Sequence, residues 1–269
     1  MNANTALITG ASSGIGATYA DRLAKRGHDL ILVARDRSRL EALAIRLRRE
    51  TGVQVDVLVA DLSRDVGLED VEERLAQDAS ISMLVNNAGI ATGSTIAESE
   101  PAEVNAVINL NVLALTRLAA AAAASFVARG HGTIINIGSV MGLMPERASA
   151  GIYAATKAYV LAFTEALRKE VAEAGVRVQA VLPGATLTEI WERSGLDLSR
   201  LPSTSVMDVN RMVDASLAGL DMGESVTIPA LPDAADWEAF QQARLRLAPN
   251  LSRSEPAPRY RVAASKQAA

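Results

Sequence analysis

The sequence of 269 residues contains no cysteine. This absence excludes disulfides, thiolate catalysis and cysteine-ligated metals, and it fits a reducing compartment. Histidine is almost as scarce, because His28 and His131 are the only two, and each lies beside a glycine at the start of a predicted strand. We interpret both as solvated loop residues. No spacing typical of metal ligands is present, so we predict no metal site.

Long apolar runs and a strong charge of one sign are also missing. The longest apolar stretch, about 118–124, is too short and too rich in alanine to span a bilayer. The first five residues lack the charged and apolar regions of a signal peptide. A formal net charge of -4 argues against a broad nucleic-acid surface. We therefore expect a cytoplasmic protein with no membrane span and no nucleic-acid partner.

The composition that remains is that of a folded chain. Hydrophobic residues make up 49%, and the length is sufficient for a sizeable core. We predict one domain over 1–250. The residues from 251 to 269 are rich in Ser, Pro, Arg and Ala, and we expect them to form a flexible tail.

Apolar runs rich in Val, Ile and Leu alternate with helical patterns along the chain. The predicted strands are 5–9, 29–34, 54–60, 83–86, 132–138, 176–182 and 226–229, and the predicted helices are 15–26, 38–50, 68–77, 101–129 and 152–174. Most strands are continuous apolar runs, which is typical of a parallel sheet covered on both faces. The sequence therefore predicts an α/β, Rossmann-type doubly wound fold with seven mostly parallel strands and helices on both faces.

A glycine-rich turn, Thr9-Gly-Ala-Ser-Ser-Gly-Ile-Gly16, joins the first strand to the first helix. Glycine lets the backbone approach a phosphate, and a helix N-terminus offers free N–H groups. Three glycines alone are a weak signal, because ordinary tight turns use them too. The strand–turn–helix context favours a dinucleotide site.

The end of the second strand bears on the choice of dinucleotide. An acidic residue there would bind the ribose hydroxyls of NAD, but the sequence has Ala34 followed by Arg35. A guanidinium suits a 2′-phosphate, so NADP is favoured over NAD. Arg35 could also be an ordinary surface arginine, and Asp36 could pair with it.

Tyr153 and Lys157 are four residues apart on a predicted helix and share one face. An ammonium beside a phenol favours the phenolate, so this tyrosine could exchange a proton near neutral pH. Ser139 ends a predicted strand, where its hydroxyl could polarise a substrate oxygen. Each signal alone is weak, since helical faces and strand ends produce such residues by chance.

Two asparagine-containing segments are ambiguous by themselves. Asn86-Asn-Ala-Gly89 follows a strand and could line a nucleotide or form a plain turn. Asn109 and Asn111 lie inside a predicted helix, where asparagine is unfavourable, so either could bond a water or be merely tolerated.

Together these residues closely resemble the short-chain dehydrogenase/reductase family in its compact single-domain form, from about residue 5 to about 188. The resemblance also rests on Asp61 and on Pro183-Gly-Ala-Thr-Leu-Thr188. It implies that Tyr153 is the general acid/base and that Lys157 lowers the tyrosine pKa and holds the nicotinamide ribose. Ser139 would orient the carbonyl. Asn111 would anchor a water, whereas Asn109 matches no family position.

The same resemblance implies a cofactor site for NADP(H). Asp61 would contact the adenine with Leu62 beside it, Arg35 would bind the 2′-phosphate, and Thr188 would bond the nicotinamide carboxamide. The full implied set is Gly10, Ser12, Ser13, Gly14, Ile15, Gly16, Arg35, Asp61, Leu62, Asn87, Ala88, Gly89, Tyr153, Lys157, Pro183, Gly184 and Thr188.

One departure from the family concerns the substrate pocket. Ser139 precedes Tyr153 by 14 positions, one more than the family pattern. We expect the 140–152 loop and the 187–206 loop to line the pocket. The apolar residues of these loops suggest a carbonyl or alcohol substrate with an apolar body. They are Met141, Leu143, Met144, Ile190, Trp191 and Leu196.

The predicted function is therefore an NADP(H)-dependent oxidoreductase that interconverts a carbonyl and a secondary alcohol. A catalytically silent nucleotide sensor or scaffold of the same fold is the main alternative, and epimerisation or dehydration on the same residues is another. The long apolar helices predict a homodimer or homotetramer, although two faces buried within one subunit would look the same.

Overall fold

The computed structural model describes residues 4–147, 150–195 and 197–260. In this part of the chain seven parallel strands form one sheet in the order β3-β2-β1-β4-β5-β6-β7. They are β1 Thr5–Thr9, β2 Asp29–Ala34, β3 Val55–Val59, β4 Ile81–Asn86, β5 Gly132–Ile137, β6 Val176–Val181 and β7 Val226–Thr227. The predicted doubly wound fold is confirmed, and every predicted strand is found with its ends within two residues.

Helices cover both faces of this sheet, as the continuous apolar strands require. The α-helices of the described residues are α1 Gly14–Lys25, α2 Arg37–Thr51, α3 Asp65–Gln77, α4 Pro101–Ile108, α5 Leu115–Arg129, α6 Gly151–Glu170, α7 Ile190–Ser194, α8 Val209–Asp221 and α9 Ala234–Leu245. Short 3₁₀ turns lie at Val140–Gly142, Pro145–Arg147, Ala172–Ala174, Leu198–Arg200, Ser203–Ser205, Ala248–Asn250 and Pro258–Tyr260.

Alternate residues of each strand serve two separate cores. On β1, Ala6 and Ile8 face a cluster with α1, α2 and α8, whereas Leu7 faces a second cluster with α3, α5 and α6. Each side chain of β1 is buried. This two-sided burial holds the carboxyl ends of the strands in fixed positions, and ligands bind at that edge in open α/β sheets.

The predicted single α-helix over 101–129 needs correction. Pro101 begins it as expected, but a π-helical segment, Asn109–Ala114, separates α4 from α5. Segments of this kind are frequently found at functional sites. Asn111 lies in it and is buried. A 3.6-residue periodicity does not reveal the extra residue per turn, so the sequence reading passed over it.

Three further helix predictions differ from the structure. The helix predicted over 152–174 ends at Glu170, and a 3₁₀ turn then leads to Gly175, whose φ of 71° gives a left-handed cap. Helix α8, capped by Asp208, was not predicted. Helix α9 was not predicted either, and none of its residues is buried.

The chain divides into two compact units. The first, Met1–Ala230, contains the sheet, and the second, Leu231–Ala269, contains α9. In the second unit Asp233 caps α9 by accepting from Ala235 N at 2.9 Å, and Trp237 stacks on Phe240 with ring centroids 5.5 Å apart. The predicted domain over 1–250 and the predicted tail stay predictions. Of the tail, residues 251–260 are described, and 261–269 lie outside the described residues.

Among the described helices, the run Pro101–Arg129 has the length and composition needed to cross a membrane, with a mean hydropathy of 1.6 in its most apolar window. The same test is passed by the core helix of a soluble protein, so it is weak evidence for a span. Helix α5 contributes Leu118, Ala122 and Phe126 to the core under the sheet.

Candidate active site

The glycine turn between β1 and α1 leaves no room for side chains. Gly10 and Gly14 have φ values of 66° and 54°, a region that favours glycine. A Cβ on Gly16 would overlap the Gly10 carbonyl oxygen and lie 2.6 Å from Asn87 Nδ2. Ser13 precedes α1 without capping it through its side chain. The first N–H groups of α1 therefore remain available for an anion.

Residues after β4 are bonded directly to this turn. Thr9 Oγ1 accepts from Asn87 N and Ala88 N, both at 2.9 Å, and Asn87 Nδ2 donates to Thr9 O at 2.9 Å. A Cβ on Gly89 would lie 3.6 Å from Lys157 Nζ. The structure thus brings the predicted nucleotide turn and the predicted catalytic helix together at Gly89.

The end of β2 presents an exposed arginine. Arg35 has no hydrogen-bonded or ion-paired partner among the residues that the structure describes. The predicted competitor, Asp36, instead caps α2 by accepting from Arg39 N at 3.0 Å and from Ser38 Oγ at 2.9 Å. A pairing of Asp36 with Arg35 is therefore not formed. The Arg35 guanidinium is left for an anion.

Asp61 and Leu62 follow β3 on the same edge. Burial tends to raise the pKa of Asp61, but hydrogen bonds from Ser63 and the charges of Arg35 and Arg64 outweigh it and lower the pKa. Ser63 Oγ donates to Asp61 Oδ1 at 2.7 Å. Leu62 is buried. Asp61 is thus an ionised, partly buried acceptor near Arg35, as a role in binding adenine would require.

Ser139, Tyr153 and Lys157 meet at the end of β5. Lys157 is buried on α6 and its Nζ donates to Ile137 O at 2.8 Å, and lies 5.6 Å from the centre of the Tyr153 ring. Ser139 lies near enough to Tyr153 to act on the tyrosine pKa, and its Oγ accepts from Met141 N at 3.1 Å and donates to Pro183 O at 3.5 Å. The three predicted catalytic side chains are therefore neighbours in space.

The pKa values of this group depart from the sequence expectation. Burial raises the pKa of Tyr153 to about 12, although the hydrogen bond to Ser139 acts against this. Burial also lowers the pKa of Lys157 to about 8. Lys157 was expected to lower the tyrosine pKa, but removal of the phenol from water is the largest cause acting on it and raises the pKa. Tyr153 is thus protonated at neutral pH.

Asn111 does more with its side chain than the sequence indicated. Its Oδ1 accepts from Ile90 N and its Nδ2 donates to Ile90 O, both at 2.9 Å. The same Nδ2 donates to Thr156 Oγ1 at 3.2 Å, and Thr156 Oγ1 donates to Tyr153 O at 2.7 Å. The sequence reading missed Thr156 and Ile90. The predicted water at Asn111 stays a prediction.

The strand-end residues after β6 form the base of the predicted substrate loop. Val140 N donates to Pro183 O at 3.0 Å, which ties the serine-bearing turn to the Pro183-Gly184 segment. Thr186 pairs with Met207, so the two ends of the 187–206 loop are joined. A Cβ on Gly14 would lie 3.2 Å from Thr188 Cγ2. Thr188 therefore packs on the glycine turn, as a cofactor contact would require.

Of the six predicted pocket residues, the structure describes five. Met141, Leu143, Ile190 and Trp191 are partly buried, and Trp191 Nε1 donates to Thr186 O at 2.8 Å, so Trp191 packs its own loop. Met144 is 42% exposed. Leu196 lies outside the described residues.

A separate apolar groove of about 440 Å³ lies between α4, the π-helical segment and α6. It includes Ile96, Ile108, Val112, Ala155 and Tyr159. Ile96 and Ile108 are exposed, and so is much of Tyr159. This exposed apolar face belongs to the same long helices that the sequence assigned to a subunit contact.

The comparisons with known proteins agree with this geometry. A family model for short chain dehydrogenases matches residues 4–198. A short-chain dehydrogenase from Sphingobium yanoikuyae, solved in complex with NADPH, is 53% identical with a TM-score of 0.93, covering 96% of this chain and 100% of that one. The bulky-bulky ketone specific alcohol dehydrogenase from Comamonas testosteroni is 48% identical with a TM-score of 0.89, covering 97% and 99%.

A curated relative extends the agreement to sequence alone. The 3-oxoacyl-acyl-carrier-protein reductase of Escherichia coli is 35% identical over 205 residues, which is 74% of this chain and 82% of that protein. The family match covers the glycine turn, the strand-end residues and the Tyr153–Lys157 pair. The chain belongs to the short-chain dehydrogenase/reductase family of oxidoreductases.

Proposed function

We propose that this protein is an NADP(H)-dependent oxidoreductase that interconverts a carbonyl and a secondary alcohol. The observation that carries the proposal is that Ser139 and Lys157 both lie beside Tyr153, with Lys157 Nζ 5.6 Å from the centre of the tyrosine ring and close to Gly89. A proton donor and an oxygen-binding hydroxyl thus lie beside a dinucleotide cradle. Hydride transfer to a carbonyl needs this combination.

The residues present fit an NADP dinucleotide. The cradle at Gly16 would be filled by a single Cβ, the first turn of α1 has free N–H groups, and Arg35 is an unpaired exposed cation. NADPH matches the cofactor of the Sphingobium yanoikuyae relative. NAD suits the site less well, because Ala34 offers no carboxylate to the ribose hydroxyls.

When bound, NADPH supplies the hydride that the carbonyl carbon receives. Tyr153 donates its phenolic proton to the carbonyl oxygen, and the Ser139 hydroxyl donates a hydrogen bond to the same oxygen as negative charge develops. Tyr153, whose pKa burial raises to about 12, is protonated at neutral pH and so has a proton to donate in the reduction. For the reverse reaction the same phenol must act as a base, so its pKa must fall.

The Asn111 side chain holds the catalytic helix in place. It joins the Ile90 backbone to Thr156, and Thr156 in turn bonds the Tyr153 carbonyl. We assign Thr156 a positioning role, since it touches neither the proposed substrate oxygen nor the proton.

We propose a ketone with two sizeable apolar groups as the substrate class. The Comamonas testosteroni relative acts on bulky-bulky ketones, and the apolar side chains of Met141, Leu143 and Ile190 lie in the two loops that follow β5 and β6. We further propose that residues 187–206 form the substrate loop of one oxidoreductase domain over 1–250. The apolar groove between α4 and α6 would contact a second subunit in a homodimer or homotetramer, in the cytoplasm.

The test replaces the proposed proton donor. Tyr153→Phe should lower kcat for a panel of aryl and alkyl ketones by about 10³-fold, because proton transfer of this kind contributes about 10²–10⁴-fold. NADPH affinity, measured by fluorescence titration, should change less than about twofold. Tyr159→Phe is the matched control, since Tyr159 lies on the same helix and its hydroxyl bonds only Thr116 among the described residues.

Two outcomes would contradict the proposal. Near-normal turnover by Tyr153→Phe would remove the tyrosine from the chemistry. NADPH binding by the wild-type protein without turnover of any ketone or alcohol in the panel would instead support the catalytically silent sensor.

A further inference from the structure

An ion pair joins the nucleotide half of the site to the substrate loop. Arg39, in the first turn of α2, directs Nη1 at both carboxylate oxygens of Glu189, at 2.9 and 2.7 Å. The two residues are 150 positions apart. Arg39 also lies 3.4 Å from Asp36, so its guanidinium is held between two carboxylates.

Glu189 lies in a short segment that is attached to the rest of the protein at both ends. Glu189 directly follows Thr188, which packs on Gly14 at the start of α1. At the other end of the segment, Met207 N donates to Ala185 O at 2.8 Å and Leu187 N donates to Met207 O at 3.0 Å. The short segment 186–190 is therefore attached at its base by backbone pairing and at its far end by Arg39.

Through Thr188 this segment contacts the glycine turn, where the cofactor diphosphate would bind. Its far attachment lies on α2, the helix that begins just after Arg35, the proposed 2′-phosphate residue. A dinucleotide that used both the glycine turn and Arg35 would therefore bind next to both attachments of this segment, so a segment held in place would hinder its release.

We propose that Arg39 and Glu189 are positioning residues whose ion pair holds the segment 186–190 across the bound dinucleotide and thereby slows cofactor release. This inference rests on the proposed function. Arg39 is thus engaged by the Glu189 and Asp36 carboxylates, whereas Arg35 forms no hydrogen bond or ion pair among the described residues. The device therefore acts on the dinucleotide as a whole rather than on its 2′-phosphate.

The expected effect is modest. The side chains of Arg39 and Glu189 are 45% and 42% exposed, so solvent screens their attraction. Exposed pairs of this kind change an equilibrium or a rate by about two- to fivefold, and salt reduces the effect.

The experiment measures release of NADPH and of NADH by stopped-flow fluorescence. Glu189→Gln and Arg39→Gln should each speed release about two- to fivefold for both nucleotides, and the double variant should be no faster than either single one. High salt should bring the wild-type rate to that of the variants. Glu41→Gln is the matched control, since it removes an exposed ion pair on the same helix that does not reach the loop.

Three outcomes would overturn the inference. If NADPH and NADH were released at the wild-type rate from both single variants, the Arg39–Glu189 pair would not hold the segment 186–190 over the cofactor. If Arg39→Gln weakened NADPH alone and Glu189→Gln tightened it, Arg39 would be a 2′-phosphate ligand that Glu189 restrains. A wild-type protein that binds neither nucleotide would overturn the proposed function, and this inference with it.

Discussion

The glycine turn and the substrate segment lie on the same edge of the sheet but are built differently. At Gly16 an added Cβ would meet backbone oxygen and an amide nitrogen, and at Gly10 it would meet Asn87 and Ala88. At Gly184 and Gly195 an added Cβ would meet nothing within 4 Å. Close backbone contacts therefore fix the glycine turn, whereas the substrate segment has open space at Gly184 and is held by backbone pairing at its base and by the Arg39–Glu189 pair.

This difference has a chemical reason. A dinucleotide diphosphate is recognised by backbone N–H groups, which only a fixed turn can aim. A substrate with an apolar body is recognised by the shape of its pocket, which loop residues such as Met141 and Ile190 can vary. The same scaffold can thus keep one cofactor while its substrate changes.

The largest difference in the free energy of unfolding should appear when a glycine is replaced by alanine in each of the two regions. Gly16→Ala should lower the free energy of unfolding by about 3 kcal/mol, because the new methyl group overlaps the Gly10 carbonyl and must displace the turn. NADPH binding should be lost with it. Gly184→Ala should leave stability within about 0.5 kcal/mol, since its Cβ enters open space. Urea unfolding of both variants measures the contrast.

Equal stabilities of the two variants would contradict the comparison. It would mean that the turn at Gly16 shifts as easily as the open segment at Gly184. A stable Gly16→Ala protein that still bound NADPH would go further and remove the glycine turn from the cofactor site.

The features that could be predicted from the sequence are those set by residues close together in the chain. The glycine turn and the Tyr153–Lys157 pair were predictable, because each is local and its geometry follows from a strand end or a helix face. The seven strands were predictable because continuous apolar runs of this length are typical of buried parallel strands. Local pattern was sufficient wherever the nearest neighbours in space are also near in sequence.

Features that depend on distant partners were not predictable. The Arg39–Glu189 pair joins residues 150 positions apart. The π-helical segment serves contacts of Asn111 with Ile90 and Thr156, which are 21 and 45 positions away. The raised pKa of Tyr153 reflects burial by the whole fold, so the spacing to Lys157 alone gave the opposite direction.

A buried charge lies where the two regions meet, and it should make stability depend on pH. The Lys157 pKa is lowered from 10.5 to about 8. Between these values the folded state binds fewer protons than the unfolded state, so stability rises with pH through that window. From pH 7 to pH 9.5 the wild-type protein should gain about 2 kcal/mol relative to Lys157→Met, which has no proton to lose.

Urea unfolding at the two pH values measures this gain. The upper limit of pH 9.5 avoids Tyr153, whose raised pKa acts in the opposite direction above pH 10. If the free energies of unfolding of the wild-type protein and of Lys157→Met changed equally with pH, the Lys157 ammonium would be solvated. Water would then reach the place where the cofactor and substrate regions meet.

The smallest effect should lie at the outer edge of the cofactor region. Arg35→Gln should weaken NADPH binding about tenfold and leave NADH binding unchanged, since an unpaired guanidinium at the end of β2 contributes to affinity only through the 2′-phosphate. Arg37→Gln, the neighbouring exposed arginine that faces Glu41, should change neither affinity. Fluorescence titration of both nucleotides against the three proteins gives the answer. If Arg35→Gln weakened NADPH and NADH binding equally, Arg35 would attract both nucleotides by its charge and would not recognise the 2′-phosphate. If the wild-type protein preferred NADH, the 2′-phosphate role of Arg35 would be refuted, because the edge after β2 would then recognise the ribose without a phosphate.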